Sequence, residues 1–361
     1  MADLQEYKCP HCGGAIAFDS ASQQMKCPFC ESSIDVESLS QTDGVSENDP
    51  QGGWDIQSQD QWREGEQEGI SVYSCQSCGG EIIGDDNTAA TSCPYCGNHV
   101  VVKGQFSGNL RPDYVIPFQL DKKAAVEALK KHLRGKRFLP GVFKDENHIE
   151  EMKSIYVPFW LYDADVDAHF QYEAKKTSHS SDASYNYTTV RHYRVIRDGS
   201  LHFRRVPVDA SSKIPDDLMD SIEPYDYSGL VDFQSAFLAG FLADKYDVTV
   251  EQSKGRADAR IRKSTEKSFT GSADGYDSLK VEQSAMQSSN GKVKYALLPV
   301  WILTTAWKDD RFLFAMNGQT GKFVGNLPIS KAAVLRWFGL LTVIFAAVIF
   351  GLQWLMIPLL P

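Results

Sequence analysis

Positive charge is scarce in this sequence. Its 37 lysines and arginines stand against 47 aspartates and glutamates, giving a formal net charge of −10 and a pI near 5.3. A field of that sign repels a phosphate backbone, so binding to nucleic acid driven by electrostatics is not expected. The deficit is local. Glu31, Asp35, Glu37, Asp43, Glu47, Asp49, Asp55, Asp60, Glu64, Glu66 and Glu68 are offset only by Arg63, so this stretch carries the whole −10. Filled out with Ser, Gln, Asn and Gly, it reads as an extended acidic tether. Trp54 and Trp62 stand out within it, either as docking aromatics or as isolated exposed ones.

The signatures of common catalytic classes are missing too. The segment Asn317-Gly-Gln-Thr-Gly321-Lys322-Phe323 resembles a phosphate loop but has Met316 where glycine is needed and Phe323 where Ser or Thr is needed. No nucleophile elbow, dinucleotide fingerprint or H-E-x2-H spacing occurs, and the acidic run Asp216 to Asp226 reads as a solvated loop with helix caps. The expectation is a protein that is not an enzyme. The first residues, Met1-Ala-Asp-Leu-Gln-Glu, have neither the basic start nor the apolar core of a secretory signal.

No cysteine lies outside one repeated pattern. All 8 fall into two copies of C-x2-C-x14-C-x2-C: Cys9, Cys12, Cys27, Cys30, and then Cys75, Cys78, Cys93, Cys96, displaced by 66 residues. Two such hooks on successive hairpins make the tetrathiolate zinc ribbon, so the expected cofactors are two structural Zn²⁺ ions. Gly13, Gly79 and Gly97 follow three of the hooks, where the turn demands positive φ, while Glu31 follows the fourth. A closed four-cysteine site leaves no position for water or substrate, so the metal's expected role is folding. Which hooks pair is left open by spacing alone. Around the ribbons, Lys8, Lys26 and Lys103 face Glu6, Asp19, Glu81, Asp85 and Asp86, which is no basic stripe.

Long apolar runs are absent until the end, where Trp337 to Pro361 carries no charge. Residues 337–357 make about 31 Å of helix, matching the ~30 Å hydrocarbon core of a bilayer. Lys331 and Arg336 precede the run and nothing positive follows it, so the positive-inside rule places the preceding residues in the cytoplasm of a single-pass, tail-anchored protein of the cell membrane.

The fold class expected is α+β: zinc ribbon 1 at 1–38, the linker at 39–69, zinc ribbon 2 at 70–104, a central α+β domain at 105–328 and the transmembrane segment at 329–361. Within the domain, helices are expected from Asp121 to Leu133, from about Leu230 to Tyr246 on a Phe233, Phe237, Phe241 spacing, and from about Val248 to Phe269. Hairpins are expected at Asp198-Gly199, Asn290-Gly291 and Asn317 to Gly321. His192 and His202 would then face each other across the first. The segments Ile155-Tyr-Val-Pro-Phe-Trp-Leu-Tyr162 and Ala296-Leu-Leu-Pro-Val-Trp-Ile-Leu303 share one pattern, from duplication or from similar packing demands.

Tandem ribbons followed by Tyr156-Val-Pro-Phe-Trp-Leu-Tyr-Asp163, Val206-Pro-Val-Asp-Ala-Ser211, Met219-Asp-Ser-Ile-Glu-Pro-Tyr-Asp-Tyr227, Tyr295-Ala-Leu-Leu-Pro-Val-Trp301 and Phe314-Ala-Met-Asn-Gly-Gln-Thr-Gly-Lys322 resemble a bacterial family of TFIIB-type zinc-ribbon membrane proteins, the YdjG-like proteins. The resemblance implies a membrane-attached protein acting in cell-envelope stress beside an SPFH-domain protein and a phage-shock-protein-A (PspA) homologue. The helicase label that the family sometimes carries finds no motor residues here. The expected function is a non-enzymatic scaffold with cytoplasmic ribbons. The alternative is a zinc-ribbon factor that binds nucleic acid in replication or transcription.

Overall fold

The computed structural model describes residues 17–28, 32–34, 55–56, 62, 67, 70–85, 92–105, 110–145, 149, 151–308 and 310–356. Strands β1 (Ala17–Asp19), β2 (Gln24–Lys26) and β3 (Ser33–Ile34) form a small antiparallel sheet. A second, mixed sheet holds β4 (Asp55–Ile56), β5 (Ile70–Cys75), β6 (Glu81–Asp85), β7 (Val100–Gln105), β8 (Tyr114–Val115), β9 (Lys153–Ser181), β10 (Asn186–Asp209), β11 (Val231–Asp232), β12 (Leu242–Asp244), β13 (Ser278–Trp307), β14 (Asp310–Asn317) and β15 (Phe323–Gly325). Among the described residues, four α-helices accompany it: α1 (Lys122–Leu133), α2 (Asp216–Ile222), α3 (Val250–Gly271) and α4 (Lys331–Met356). The class is α+β, as composition and patterning imply.

Strand β9 organises the molecule. Its 29 residues make about 95 Å of extended chain, with antiparallel β13 along one side and, along the other, parallel β12 at Ile155–Tyr156 followed by antiparallel β10. From Ile155 to Tyr162 every residue is buried, as a continuously apolar strand requires. Beyond Asp163 the pattern alternates: Ala164, Val166, Ala168, Phe170, Tyr172 and Ala174 are buried against α3, while Asp165, Asp167, His169 and Glu173 face the other way. A three-stranded arm of β9, β10 and β13 thus extends past the central core, with one apolar face and one polar face.

Helix α3 covers the apolar face because Ala257, Ile261, Thr265 and Phe269 recur every four residues. It opens on a capping box between Thr249 and Gln252, and Phe269 packs on Phe170 at 5.0 Å between ring centroids. Two of its charges are spent internally: Arg256 pairs with Asp216 at 2.7 Å and with Asp220 at 3.2 Å, and Arg260 pairs with Asp220 and Glu223. The acidic run that reads as a solvated loop is therefore mostly α2, held against α3.

The two Pro-x-Trp segments lie side by side. Val157 opposes Leu298, Pro158 opposes Leu297 and Tyr156 opposes Pro299, so equivalent residues of the two motifs exchange places about a local two-fold centred on Val157 and Leu298. Each indole N–H finds a carbonyl from a distant segment, Trp160 on Val248 O at 2.8 Å and Trp301 on Leu120 O at 3.1 Å. Phe118 sits over this centre, stacked on Phe241 at 4.6 Å and edge-on to Tyr156 and Trp301.

Helix α1 forms as expected, with the Asp121 carboxylate accepting from Ala124 N at 2.7 Å, and the third hairpin forms as β14 and β15 around Asn317 to Gly321. Three expectations fail. Asp198-Gly199 does not turn: β10 runs straight through it, with Asp198 opposite His169 and Gly199 opposite Ala168, where a Cβ on Gly199 would sit 3.5 Å from the Phe269 ring. The turn before β10 is made instead by Asp182, whose carboxylate accepts from the N–H groups of Ser184 and Tyr185, both at 2.8 Å. His192 and His202 consequently share one strand, each bonded to a carboxylate of β9, Glu173 and Asp165 respectively. Asn290-Gly291 is a bulge inside β13, marked by Asn290 φ of 53° and a register shift between Ser289 and Lys292. Finally, the Phe233, Phe237, Phe241 spacing does not make an α-helix. A 3₁₀ turn over Ser235–Leu238 ends at Gly240, whose φ of +85° directs the chain into β12.

The first cysteine segment docks on this body: Phe18 N donates to Ala239 O at 3.2 Å and the Phe18 ring packs on Phe237 at 5.3 Å. In the acidic stretch, Asp55 and Ile56 pair with Lys292 and Val293 of β13, and Trp62 packs edge-on to Phe233 at 5.8 Å. Trp54 lies outside the described residues.

Helix α4 is long and apolar enough over Lys331–Gly351 to cross a membrane, and only 6% of its apolar window is buried. Phe338, Val343, Phe345 and Phe350 are all more than 60% exposed. The helix begins fixed to the body, with Ser330 N donating to Phe138 O at 2.8 Å and the Arg137 guanidinium over the Trp337 ring at 4.7 Å.

Candidate metal centre

The second cysteine set converges. Cys75 ends β5, Cys78 follows in the next turn, and Cys93 and Cys96 form the second hook before β7. The hooks repeat one backbone pattern: Gly79 N donates to Cys75 O at 2.8 Å and Gly97 N donates to Cys93 O at 2.9 Å. Gly79 and Gly97 have φ of 71° and 75°, which side-chain-bearing residues rarely adopt. The four sulfurs lie within 4.8 Å of one another, with Cys75 and Cys96 Sγ at 3.4 Å and Cys78 and Cys93 Sγ at 3.6 Å. Thiolates ~2.3 Å from a tetrahedral zinc ion are separated by about 3.8 Å, so the donor set fits that ion. Hooks from the same copy therefore meet here. Burial works to raise the Cys75 thiol, but the N–H groups of Cys78 and Ser77 point at its sulfur and bring it down to about 7. Burial pushes Cys93 up. A metal ion would hold all four as thiolates.

Of the first set, Cys9, Cys12 and Cys30 lie outside the described residues. Cys27 is buried at the end of β2, and its N–H donates to Ser32 O at 2.9 Å, the bond that Cys93 N makes to Asn98 O.

Supporting side chains come from distant parts of the chain. Lys153, at the start of β9, donates to the carbonyl of Ser92 at 2.6 Å and bonds its hydroxyl, which places an ammonium beside Cys93 and Cys96; burial lowers its pKa. Thr304 of β13 donates to Pro94 O at 2.8 Å, and Asn98 reaches across to Ser77 at 2.7 Å. These are the outer contacts that orient metal ligands. The hook is also continuous with the central sheet, because β6 pairs with β12 and β12 pairs with β9. Tyr95, inside the hook, is buried against Asp244 of β12.

A carboxylate pair sits in that seam. Asp244 accepts from the Ser211 hydroxyl and from Lys245 N at 3.0 Å, and Asp209 accepts from Ser211 N at 3.1 Å. Each is 1% exposed. Burial raises Asp209 to about 8, with the nearby Asp244 and Asp216 adding to the effect, and burial raises Asp244 to about 7.

Over 318 residues the sequence is 34% identical to a Bacillus subtilis (strain 168) protein described as uncharacterized protein YdjG, a match covering 74% of this chain and 93% of the relative. The chain belongs to the YdjG family. No family model matches the sequence and no solved structure matches the fold.

Lys153, Thr304 and Asp244 had no mark in the sequence, because nothing local ties them to cysteines 57 or more residues away. Tyr95 did carry one. A large aromatic residue between two ligands, in a hook otherwise made of small and polar residues, is a docking residue.

Proposed function

We propose that the chain is a non-enzymatic, membrane-anchored scaffold whose folded body faces the cytoplasm and recruits other proteins. The observation that carries this reading is the exposed helix α4, apolar on every face and joined directly to the body at Ser330 and Trp337. A helix apolar all round lowers its free energy in lipid rather than in water. Lys331 and Arg336 at its start favour the cytoplasmic side for the body.

The metal centre supports the same reading. Four thiols without an open coordination position make a fold-stabilising site, and a rigid hairpin surface follows from it. Zinc is the ion that this donor set suits, and the first cysteine set would hold a second. The partners proposed are those implied by the family resemblance, an SPFH-domain protein and a PspA homologue, in the cell-envelope stress response.

Fractionation of cells producing the full chain, and of cells producing a version ending at Ile329, tests the anchor. The full chain should stay with membranes through alkaline washing, and the shortened one should move to the soluble fraction. Retention of both, or release of the full chain, rejects the anchor. Purification of the intact protein in mild detergent then tests recruitment: an SPFH-domain protein and a PspA homologue should come with it, and their absence rejects those partners.

A further inference from the structure

One side of β10 is unpartnered. Among the described residues it pairs with β9 alone, so from Asn186 to Phe203 its outward N–H and C=O groups form a row open to another strand once the Arg197 guanidinium, which donates to Ile196 O at 3.0 Å, swings aside. Edges of this length are usually blunted by proline, bulges or inward charges. Here the first interruption is the irregularity at Arg204 and Arg205, where Arg205 has φ of 57°, and Pro207 lies beyond it.

The side chains along this edge are self-complementary. Helix α3 buries Val195 from one face, which leaves Arg194, Ile196 and Asp198 on the other. Ile196 is 49% exposed in the middle of a polar face, without a role inside one chain. Asp198 Oδ1 bonds His169 while its side chain stays 67% exposed.

When an antiparallel strand pairs with its own copy, a two-fold axis sets one residue against itself and every other pair appears twice. With the axis at Ile196, Ile196 meets Ile196 of the second copy. Arg194 then opposes the second copy's Asp198, the reciprocal pair forms as well, and Tyr193 opposes Gly199. Axes at Arg194 or Arg197 instead set a guanidinium against itself. Opposite charges directly across a pair of strands stabilise it and like charges destabilise it.

We propose that β10 is a homodimerisation edge, occupied by β10 of a second copy in the register centred on Ile196. The two three-stranded arms then form one six-stranded sheet.

The test uses the full chain in mild detergent with zinc bound. Light scattering should give a protein mass twice 40.3 kDa. Arg194→Asp should weaken the dimer at least tenfold, and adding Asp198→Arg to it should restore the dimer. Ile196→Cys should give an efficient disulfide-linked dimer on mild oxidation. Tyr187→Cys, about 60 Å from its counterpart at ~3.3 Å per residue, should not. A monomeric mass, a dimer indifferent to Arg194→Asp, failure of the charge swap to restore it, or equal linking by both cysteines overturns the proposal. The charge swap also separates pairing through β10 from association through α4, which neither substitution touches.

Discussion

Lys153 reaches from the first residue of the longest-paired strand to the carbonyl of Ser92, one residue before Cys93 of the candidate metal centre. The ammonium ties the second hook to the central sheet and supplies positive charge where thiolates gather. Lys153→Met keeps the stem and removes the charge. It should weaken zinc binding by about 10- to 100-fold, the usual range for losing an outer contact, measured by competition with a chromogenic chelator. Unchanged affinity would show that the contact only packs.

Because β6 continues into β12 and β9, metal removal should not melt a ribbon alone. Chelation, or Cys93→Ser, is expected to lower the stability of the body in one cooperative transition, followed by far-ultraviolet dichroism together with tryptophan fluorescence. A transition in the body that keeps its midpoint when the metal is gone would mean the hook folds independently.

Asp209 and Asp244 make stability depend on pH. Both are raised in the folded state, from 3.8 to about 8 and about 7, so the folded chain binds more protons than the unfolded one from about pH 4 upward. Their contribution is therefore fully present below pH 4 and falls as pH rises toward 8, by at most about 1.4 kcal/mol per unit for each group. Asp209→Asn should stabilise more at pH 8 than at pH 5 in thermal melts. A gain that is the same at both pH values would rule out the carboxylate as the source.

Phe269→Ala removes the ring that seals α3 onto the arm at Phe170 and Gly199. A cost of about 3–5 kcal/mol is expected, read from denaturant unfolding. A cost below about 1 kcal/mol would mean that the arm is not held by this helix.

The parts of the fold legible in sequence were those set by local chemistry. Asp121 marks a helix start because its side chain caps an N–H group three residues on. The cysteine spacing gave the hooks of the second site because the turn geometry is itself local. The β9 alternation, Asp163-Ala-Asp-Val-Asp-Ala-His-Phe-Gln-Tyr, is a period-two strand signal that the expectations above leave out. The Asp-Gly and Asn-Gly pairs misled because a turn signal is worth little against a ladder of more than twenty paired residues with a helix packed across it. At Phe233, Phe237 and Phe241 a helical spacing arose from three separate packing demands, and Gly240 was the residue that argued otherwise. Lys153 and Thr304 were invisible because their partners are chosen by topology.

The bonds that fasten Ser330 to Phe138 and Trp337 to Arg137 tie the apolar rod to the rest of the chain at two points. With the rod in a lipid sheet, those two ties would favour one range of tilts, so that neighbours diffusing in two dimensions would meet the long arm from a restricted set of directions.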